Sequence, residues 1–194
     1  MIINTKIDKK GKFPELKLLN LANTEVEIII KPKHQKNNLN INDIELIAYD
    51  FDGVMTDNKV IVNQHGVESV SANRSDGLAV AFFSKLGLKQ IIISTEPNSV
   101  VARRAEKIKI PYIHGVKNKL EILKKYLSDN KIDKEKVVFI GNDLNDKEVM
   151  EYIGIPIAPI DASSEILKIA KIVINKKGGN GVIRELYELL TQNK

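Results

Sequence analysis

Cysteine is missing from all 194 residues, which rules out a disulfide framework, a thiol nucleophile and a cysteine-ligated zinc. Long apolar runs are missing as well: no stretch approaches the roughly 20 residues that cross a bilayer. The opening segment MIINTKIDKKGK has no apolar core of a secretory signal. The expectation is a cytoplasmic protein with no membrane partner. Charge of one sign is not concentrated either. Lys and Arg number 30 against 25 Asp and Glu, a net charge of +5, but the excess is scattered. No stripe suited to nucleic acid emerges, and a solvated charged surface is expected in its place. A chain of this length has room for one α/β domain of ordinary size with a small appendage.

Residues 1–40 differ from the rest of the chain. They are polar, with short apolar patches at 18–21 and 26–30, and end in the Lys- and Asn-rich KPKHQKNNLN. This reads as an N-terminal extension and linker ahead of a domain over 41–194. From Ile44 the pattern alternates strand and helix. IELIAYD predicts a buried strand, KVIVN and VESVSA a hairpin around Gln64, His65 and Gly66, residues 77–86 a helix, and KQIIIS a second core strand. Pro97 stands where a first helical turn is expected to begin, continued by VVARRAEKI. A helix over 119–127, the strand KVVFIG, shorter pairs through IPIAPI and AKIVIN, and a last helix over 182–190 complete the series. Repeated βα units with apolar strands imply a doubly wound parallel sheet with helices on both faces. Ligands of such sheets bind at the carboxyl ends of the strands.

The stretch YDFDGVMTDN therefore stands out, because it places Asp50 and Asp52 at the end of a core strand, followed by Gly53. A strand end throws both carboxylates into one crevice, and a glycine lets backbone N–H groups approach an anion. One carboxylate can attack phosphorus and the other can carry a proton, with a divalent cation holding the phosphate. A solvated turn is the plainer reading. A calcium loop would need further acidic ligands at alternating positions and a closing Glu, which Val54, Met55 and Thr56 do not supply.

Other strand ends offer matching groups. Ser94 and Thr95 follow KQIIIS, either as phosphate-binding hydroxyls beside a helix N-terminus or as a plain N-cap. Asn142, Asp143, Asn145 and Asp146 follow KVVFIG, an oxygen-rich loop suited to Mg²⁺ or equally an Asx turn capping the next helix. Lys117 and Lys119 open a helix between them, where one lysine could neutralise a phosphate and a carboxylate together, or both could be solvated.

With these motifs in order, the chain resembles the haloacid dehalogenase-type phosphatases from about Ile44 to the end. The resemblance implies that Asp50 is the phosphoryl-accepting nucleophile and Asp52 the general acid and base. It implies Ser94 as the phosphate-binding hydroxyl, Lys119 as the phosphate lysine, and Asn142, Asp143 and Asp146 as the loop that joins Asp50 and Asp52 in holding Mg²⁺. Asn142 stands where many members have Asp, which removes one negative charge but keeps an oxygen ligand. Only a hairpin and one helix separate Asp52 from Ser94, and no further domain separates Ser94 from Asn142, so there is no room for a cap domain. The site would lie open to water, and the capless branch that the chain resembles closes it by forming tetramers.

That branch contains phosphatases of eight- and nine-carbon ulosonic acid phosphates and the phosphatase-like modules attached to CMP-acylneuraminate synthetases. The segments at Asn73-Arg74-Ser75-Asp76-Gly77, Gly178-Gly179-Asn180-Gly181 and Arg184-Glu185 match its additional motifs, although members commonly have Arg where this chain has Asn180. Glu96, directly after Ser94 and Thr95, resembles the nine-carbon members, and Arg104 and Lys107 match residues associated there with substrate recognition. An Arg fork can grip a sugar carboxylate, and a Glu–Lys pair can hold hydroxyls or an acylamino group. Glu96 and Lys107 are on the order of 16 Å apart if helical throughout, so both serve one pocket only if a neighbouring subunit contributes one of them. A charged helix face is the plainer reading of Arg103, Arg104, Glu106 and Lys107. The first functional reading is thus a Mg²⁺-dependent phosphatase of a nine-carbon sugar acid phosphate, Asn73 and Arg74 being further candidates for substrate contact. The alternatives are an eight-carbon octulosonate phosphatase and a non-catalytic tetramerisation module for a sugar-nucleotide synthetase.

Overall fold

A computed structural model describes residues 39–191; the extension expected over 1–40 lies, apart from Leu39 and Asn40, outside the described residues. The chain alternates strand and helix as its periodicity predicts. In order come β1 (Leu46–Tyr49), β2 (Ile61–Val62), β3 (Glu68–Ser69), α1 (Arg74–Lys85), β4 (Lys89–Ile93), α2 (Val100–Ile108), β5 (Tyr112–Ile113), α3 (Lys119–Asn130), β6 (Val137–Ile140), α4 (Lys147–Tyr152), β7 (Ile155–Pro159), α5 (Ser164–Ile169), β8 (Ile172–Ile174) and α6 (Val182–Thr191). The main sheet runs β5-β4-β1-β6-β7-β8, and every neighbouring pair in it is parallel.

Both faces of this sheet are buried, which is why its strands read as continuous apolar runs rather than alternating ones. Ile47, Tyr49, Ile92 and Ile140 point to one face and pack with Ala79, Phe83, Val101, Ala105 and Leu186 from α1, α2 and α6. Leu46, Ala48, Ile91, Ile93 and Phe139 point to the other and meet Leu123, Leu127, Met150 and Ile166 from α3, α4 and α5. The doubly wound layering is therefore present with helices on both sides.

The register fixes the position of the site. Tyr49 pairs with Ile92 on one side and Ile140 on the other, so β1 and β6 end level and β4 ends one residue beyond them. Asp50, Ser94 and Asn142 consequently emerge together at the carboxyl edge, where the strand order turns on either side of β1.

Two helix starts differ from expectation. α1 begins at Arg74, not Gly77, because Asn73 caps it through a side chain that accepts from the Ser75 N–H. α2 begins at Val100, so Pro97 lies in the loop before it and not in a first turn. The hairpin is shorter than expected, pairing only Ile61 with Ser69 and Val62 with Glu68. Its apolar side chains have no core to enter: Val60, Ile61, Val62 and Val67 are all exposed, Ile61 at 69%. Among the described residues no helix is long and apolar enough to cross a membrane.

Candidate active site

Asp50 leaves β1 buried at 4% exposure. One carboxylate oxygen, Oδ1, accepts from the Phe51 N–H at 2.7 Å and forms an ion pair with Lys119 Nζ at 2.7 Å. Lys119 reaches this point because it is the first residue of α3, held there by the Asn118 cap, and its Nζ also donates to Asp146 Oδ1 at 2.6 Å. Lys117, two residues earlier, is exposed. The geometry thus separates two lysines between which the sequence decided only by resemblance.

Two buried carboxylates share one ammonium, and charge alone shows the deficit. Burial, then the charge of Asp146, pushes the Asp50 carboxyl up to about 8 despite Lys119. Burial pulls the Lys119 ammonium down, but Asp50 and Asp146 outweigh it and the net shift is upward. The site is short of positive charge.

Asp52 is only partly buried; its Oδ1 accepts from the Thr56 hydroxyl at 3.1 Å. Burial raises its pKa, with the Thr56 hydrogen bond opposing. A carboxyl that keeps its proton more readily than usual suits a general acid. Gly53 follows with φ at +78°, a conformation glycine adopts without strain. Its N–H donates to Thr56 Oγ1 at 3.3 Å, and what approaches its Cα is the Asn142 side chain, which a Cβ would meet at 2.0 Å. Gly53 therefore admits Asn142 to the crevice, a role different from the anion-binding turn expected of it.

Ser94 is buried at 1% exposure. With α2 starting six residues later, its hydroxyl is not beside a helix N-terminus but accepts from the Glu96 N–H at 3.1 Å. That contact uses a lone pair and leaves the Ser94 proton free to donate into the site.

The oxygen-rich loop divides its labour differently from expectation. Asp146 is fully buried, with Oδ1 on Lys119 and Oδ2 accepting from the Asn142 and Asp143 N–H groups at 2.9 and 3.4 Å. Both of its oxygens are taken, so Asp146 anchors the lysine and the loop and does not face a cation. Asp143 caps the short turn over Leu144–Asp146 and stands at the cavity wall. Asn142 takes the central place. Its outer amide atom lies 3.2 Å from Asp50 Oδ2 and 2.8 Å from the Asp52 carbonyl oxygen. With nitrogen inward the amide donates to both; with oxygen inward, three oxygens converge on one point. That donor set of carboxylate, carbonyl and amide fits a hard divalent cation, and the charge deficit favours one. Asp52 would contribute through its carbonyl, since its carboxylate is turned to Thr56. Among the described residues no group of three or more His, Cys, Asp or Glu side chains offers another metal site.

Asp50, Asp52, Ser94 and Asn142 open into a cavity of about 300 Å³, whose walls also include Asn58, Thr95, Asp143, Leu144 and Asn145. The side chains expected to recognise substrate do not gather there within one chain. Asn73 caps α1, and Arg74 and Lys107 are exposed away from the cavity walls. Glu96 Oε1 accepts from the Asn98 N–H at 2.7 Å. Arg104 donates to the Asn73 carbonyl at 2.8 Å and lies against Gly77. The threonine four residues past Asp52 belongs to the arrangement that the sequence offers for phosphotransfer, and its partner proves to be the Asp52 carboxylate. Asn145, expected as part of the oxygen-rich loop, donates through Nδ2 to Thr95 Oγ1 at 3.2 Å and joins two loops of the rim.

The chain matches the haloacid dehalogenase-like hydrolase family over residues 88–186. It is 30% identical over 148 residues to a 3-deoxy-D-manno-octulosonate 8-phosphate phosphatase of Yersinia pestis, covering 76% of this chain and 79% of that protein. The chain belongs to the haloacid dehalogenase-like hydrolase family. Membership, together with the 30% identity to a phosphatase over most of that protein's length, makes it a phosphatase. Among solved members of the family, a Streptomyces avermitilis protein assigned to it superposes with a TM-score of 0.77 at 39% identity, covering 78% of this chain and 87% of that one. An octulosonate 8-phosphate phosphatase of Moraxella catarrhalis, solved with magnesium, phosphate and its sugar acid, gives 0.75 at 29% identity over 78% and 88%. A second kind of relative is the N-acylneuraminate cytidylyltransferase A of Danio rerio, 27% identical over 147 residues. This chain matches only 34% of that protein's length, about a third.

The segment beginning at Gly178 packs on the turn that follows Asp52. Gly178 lies so near the Asp52-Gly53 turn that a Cβ would stand 2.2 Å from the Gly53 carbonyl oxygen. Gly179, with φ at +68°, donates its N–H to Val54 O at 3.0 Å. Gly178→Ala is expected to destabilise by about 1–3 kcal/mol through overpacking and to lower kcat by about 100-fold through displacement of the paired aspartates. Calorimetry and steady-state kinetics read the two effects separately, and an unchanged kcat would remove the segment from the support of the site.

Proposed function

We propose that this chain hydrolyses the phosphomonoester of an ulosonic acid with Mg²⁺ as cofactor. The observation that carries the reaction is the Lys119 ammonium held between Asp50 and Asp146, beside a third aspartate, Asp52, whose carboxyl is shifted upward by burial. Asp50 attacks phosphorus in line while Asp52 gives its proton to the leaving sugar oxygen, so the P–O bond breaks to a neutral alcohol and an aspartyl phosphate. Asp52, now a carboxylate, takes a proton from water; the resulting hydroxide attacks phosphorus and restores Asp50 with release of inorganic phosphate. The Ser94 hydroxyl and Lys119 donate to the phosphoryl oxygens throughout. Asp50, the Asp52 carbonyl and Asn142 would hold Mg²⁺, which would supply the positive charge that the site lacks.

Two substrate lengths have support. The eight-carbon reading is favoured by the octulosonate phosphatases matched over most of their length. The nine-carbon reading is favoured by the acylneuraminate relative and by Glu96, one residue past the cavity wall at Thr95. Hydrolysis of eight- and nine-carbon ulosonate phosphates with Mg²⁺ tests both, the larger kcat/KM naming the substrate. No turnover on either would leave the third reading, an assembly module of a sugar-nucleotide synthetase.

The exposed apolar hairpin supports a homotetramer in which hairpins pack together and neighbours cover the open cavities, bringing Arg104, Lys107, Arg74 or the segment at Asn180 to an adjacent site. Light scattering should then give four copies of the 21.8 kDa chain; a monomer would refute the arrangement. Residues 1–40 are proposed as a separate extension with no part in the chemistry, and the cytoplasm as the place where the sugar phosphate is met.

A further inference from the structure

Three non-glycine residues among those described have a left-handed backbone, Asn58, Lys109 and Lys131. Lys109 and Lys131 are the C-caps of α2 and α3, where helix termination calls for that conformation. Asn58 ends no helix. It sits at φ +62° in the loop between the paired aspartates and the hairpin, and it lines the cavity with Asp50 and Asp52. Glycine would adopt this backbone without strain, and Asn is disfavoured there relative to it. Strain held in a cavity wall is a pointer to function.

The geometry points to Asn58 as a specificity-determining residue that hydrogen-bonds the polar groups of the sugar beside its phosphoester carbon. Its backbone is positioned for this by the general acid's own partner. The Asn58 N–H meets Thr56 Oγ1 at 3.4 Å, and the same hydroxyl donates to Asp52 Oδ1. A leaving group whose oxygen lies at Asp52 therefore has its neighbouring carbons close to Asn58. The Asn58 side chain is exposed and makes no hydrogen bond among the described residues, so both amide donors and the acceptor are available. Across the cavity, Asn145 spends one amide proton on Thr95 Oγ1 and Leu144 presents an exposed apolar surface. Asn58 is thus the wall amide with no side-chain hydrogen bond among the described residues, suited to a polyhydroxylated leaving group and of no use to an unsubstituted aromatic one.

This role rests on the sugar acid phosphatase reading, and the experiment separates the two. Wild type and Asn58→Gly are compared on an ulosonic acid phosphate and on p-nitrophenyl phosphate, with melting temperature measured alongside. Glycine keeps the left-handed backbone while removing the amide. KM for the sugar phosphate is expected to rise about three- to tenfold, the range for one lost hydrogen bond. The expected kcat stays within about twofold, the p-nitrophenyl phosphate constants do not change, and the melting temperature does not fall. An unchanged sugar KM, an equal rise in KM on both substrates, or a fall in melting temperature accompanied by losses on both would each overturn the role of Asn58 alone. Wild type active on p-nitrophenyl phosphate but on no ulosonate phosphate would overturn both readings.

Discussion

Asp50→Asn is expected to lower turnover of a phosphomonoester by at least about four orders of magnitude, the scale on which loss of a covalent nucleophile acts. The amide is almost the same size and can still accept from the Phe51 N–H, so the fold has no reason to rearrange. What disappears is the attacking oxygen. The same substitution carries a signature in stability. In the metal-free wild type, Asp50 titrates at about 8 when folded against an ordinary value of 3.8, so the folded state holds a proton that the unfolded state gives up between those limits. Stability from this group is complete below about pH 3.8 and is lost progressively as pH rises through about 8. Asp50→Asn carries no such proton. In a chelator its melting temperature should fall less than that of wild type from pH 5 to 8.5, and above pH 8 it should be the more stable protein by several degrees, since about 1 kcal/mol moves a domain of this size by about 2–4 °C. Parallel pH profiles for the two proteins would show that Asp50 is ionised throughout. Residual turnover within tenfold of wild type would remove Asp50 as nucleophile.

The paired aspartates were legible in the sequence because a parallel sheet delivers its chemistry at strand ends, and the apolar runs ending at Tyr49, Ile93 and Ile140 mark three such ends without reference to distant contacts. Asp50, Ser94 and Asn142 could therefore be placed before any distance was known. The direction in which each side chain turns could not. Asp146 has the residue type of a cation ligand, yet Lys119 and two backbone N–H groups occupy both of its oxygens; that choice depends on a contact across 27 residues. Gly178 could be recognised as a motif but not as the residue that touches Gly53, because nothing local to either records the approach. The start of α1 was misplaced by three residues since Gly77 looked like a beginning, while the cap at Asn73 decided the matter. Asn58 was overlooked for a different reason. Asn is common in turns, and only the observed sign of φ separates an ordinary turn residue from one held under strain in a cavity wall.

Lys119→Met should have the largest effect on stability of any single change in the site. The side chain is buried at 3% exposure and bridges two carboxylates at 2.7 and 2.6 Å. Methionine fills nearly the same volume, so the cost comes from charge and not from a cavity. Asp146 would be left without its counter-ion in a water-poor site while Asp50, displaced upward even beside Lys119, keeps its proton; a broken buried pair of this kind costs about 3–5 kcal/mol. The melting temperature is therefore expected to fall by roughly 10 °C at about pH 9 without added cation. The deficit should be smaller at about pH 5 than at about pH 9, because Asp50 is protonated in both proteins at the lower value, whereas above about 8 only the wild type has an ammonium for the ionised carboxylate. Lys117→Met removes a charge of the same sign from an exposed position on the adjoining loop, and such surface changes lie within about 0.5 kcal/mol. Scanning calorimetry on both variants at the two pH values checks the assignment. If Lys117→Met were as costly as Lys119→Met, or if the Lys119→Met deficit did not depend on pH, the triad of Asp50, Lys119 and Asp146 would not be the electrostatic centre of the site.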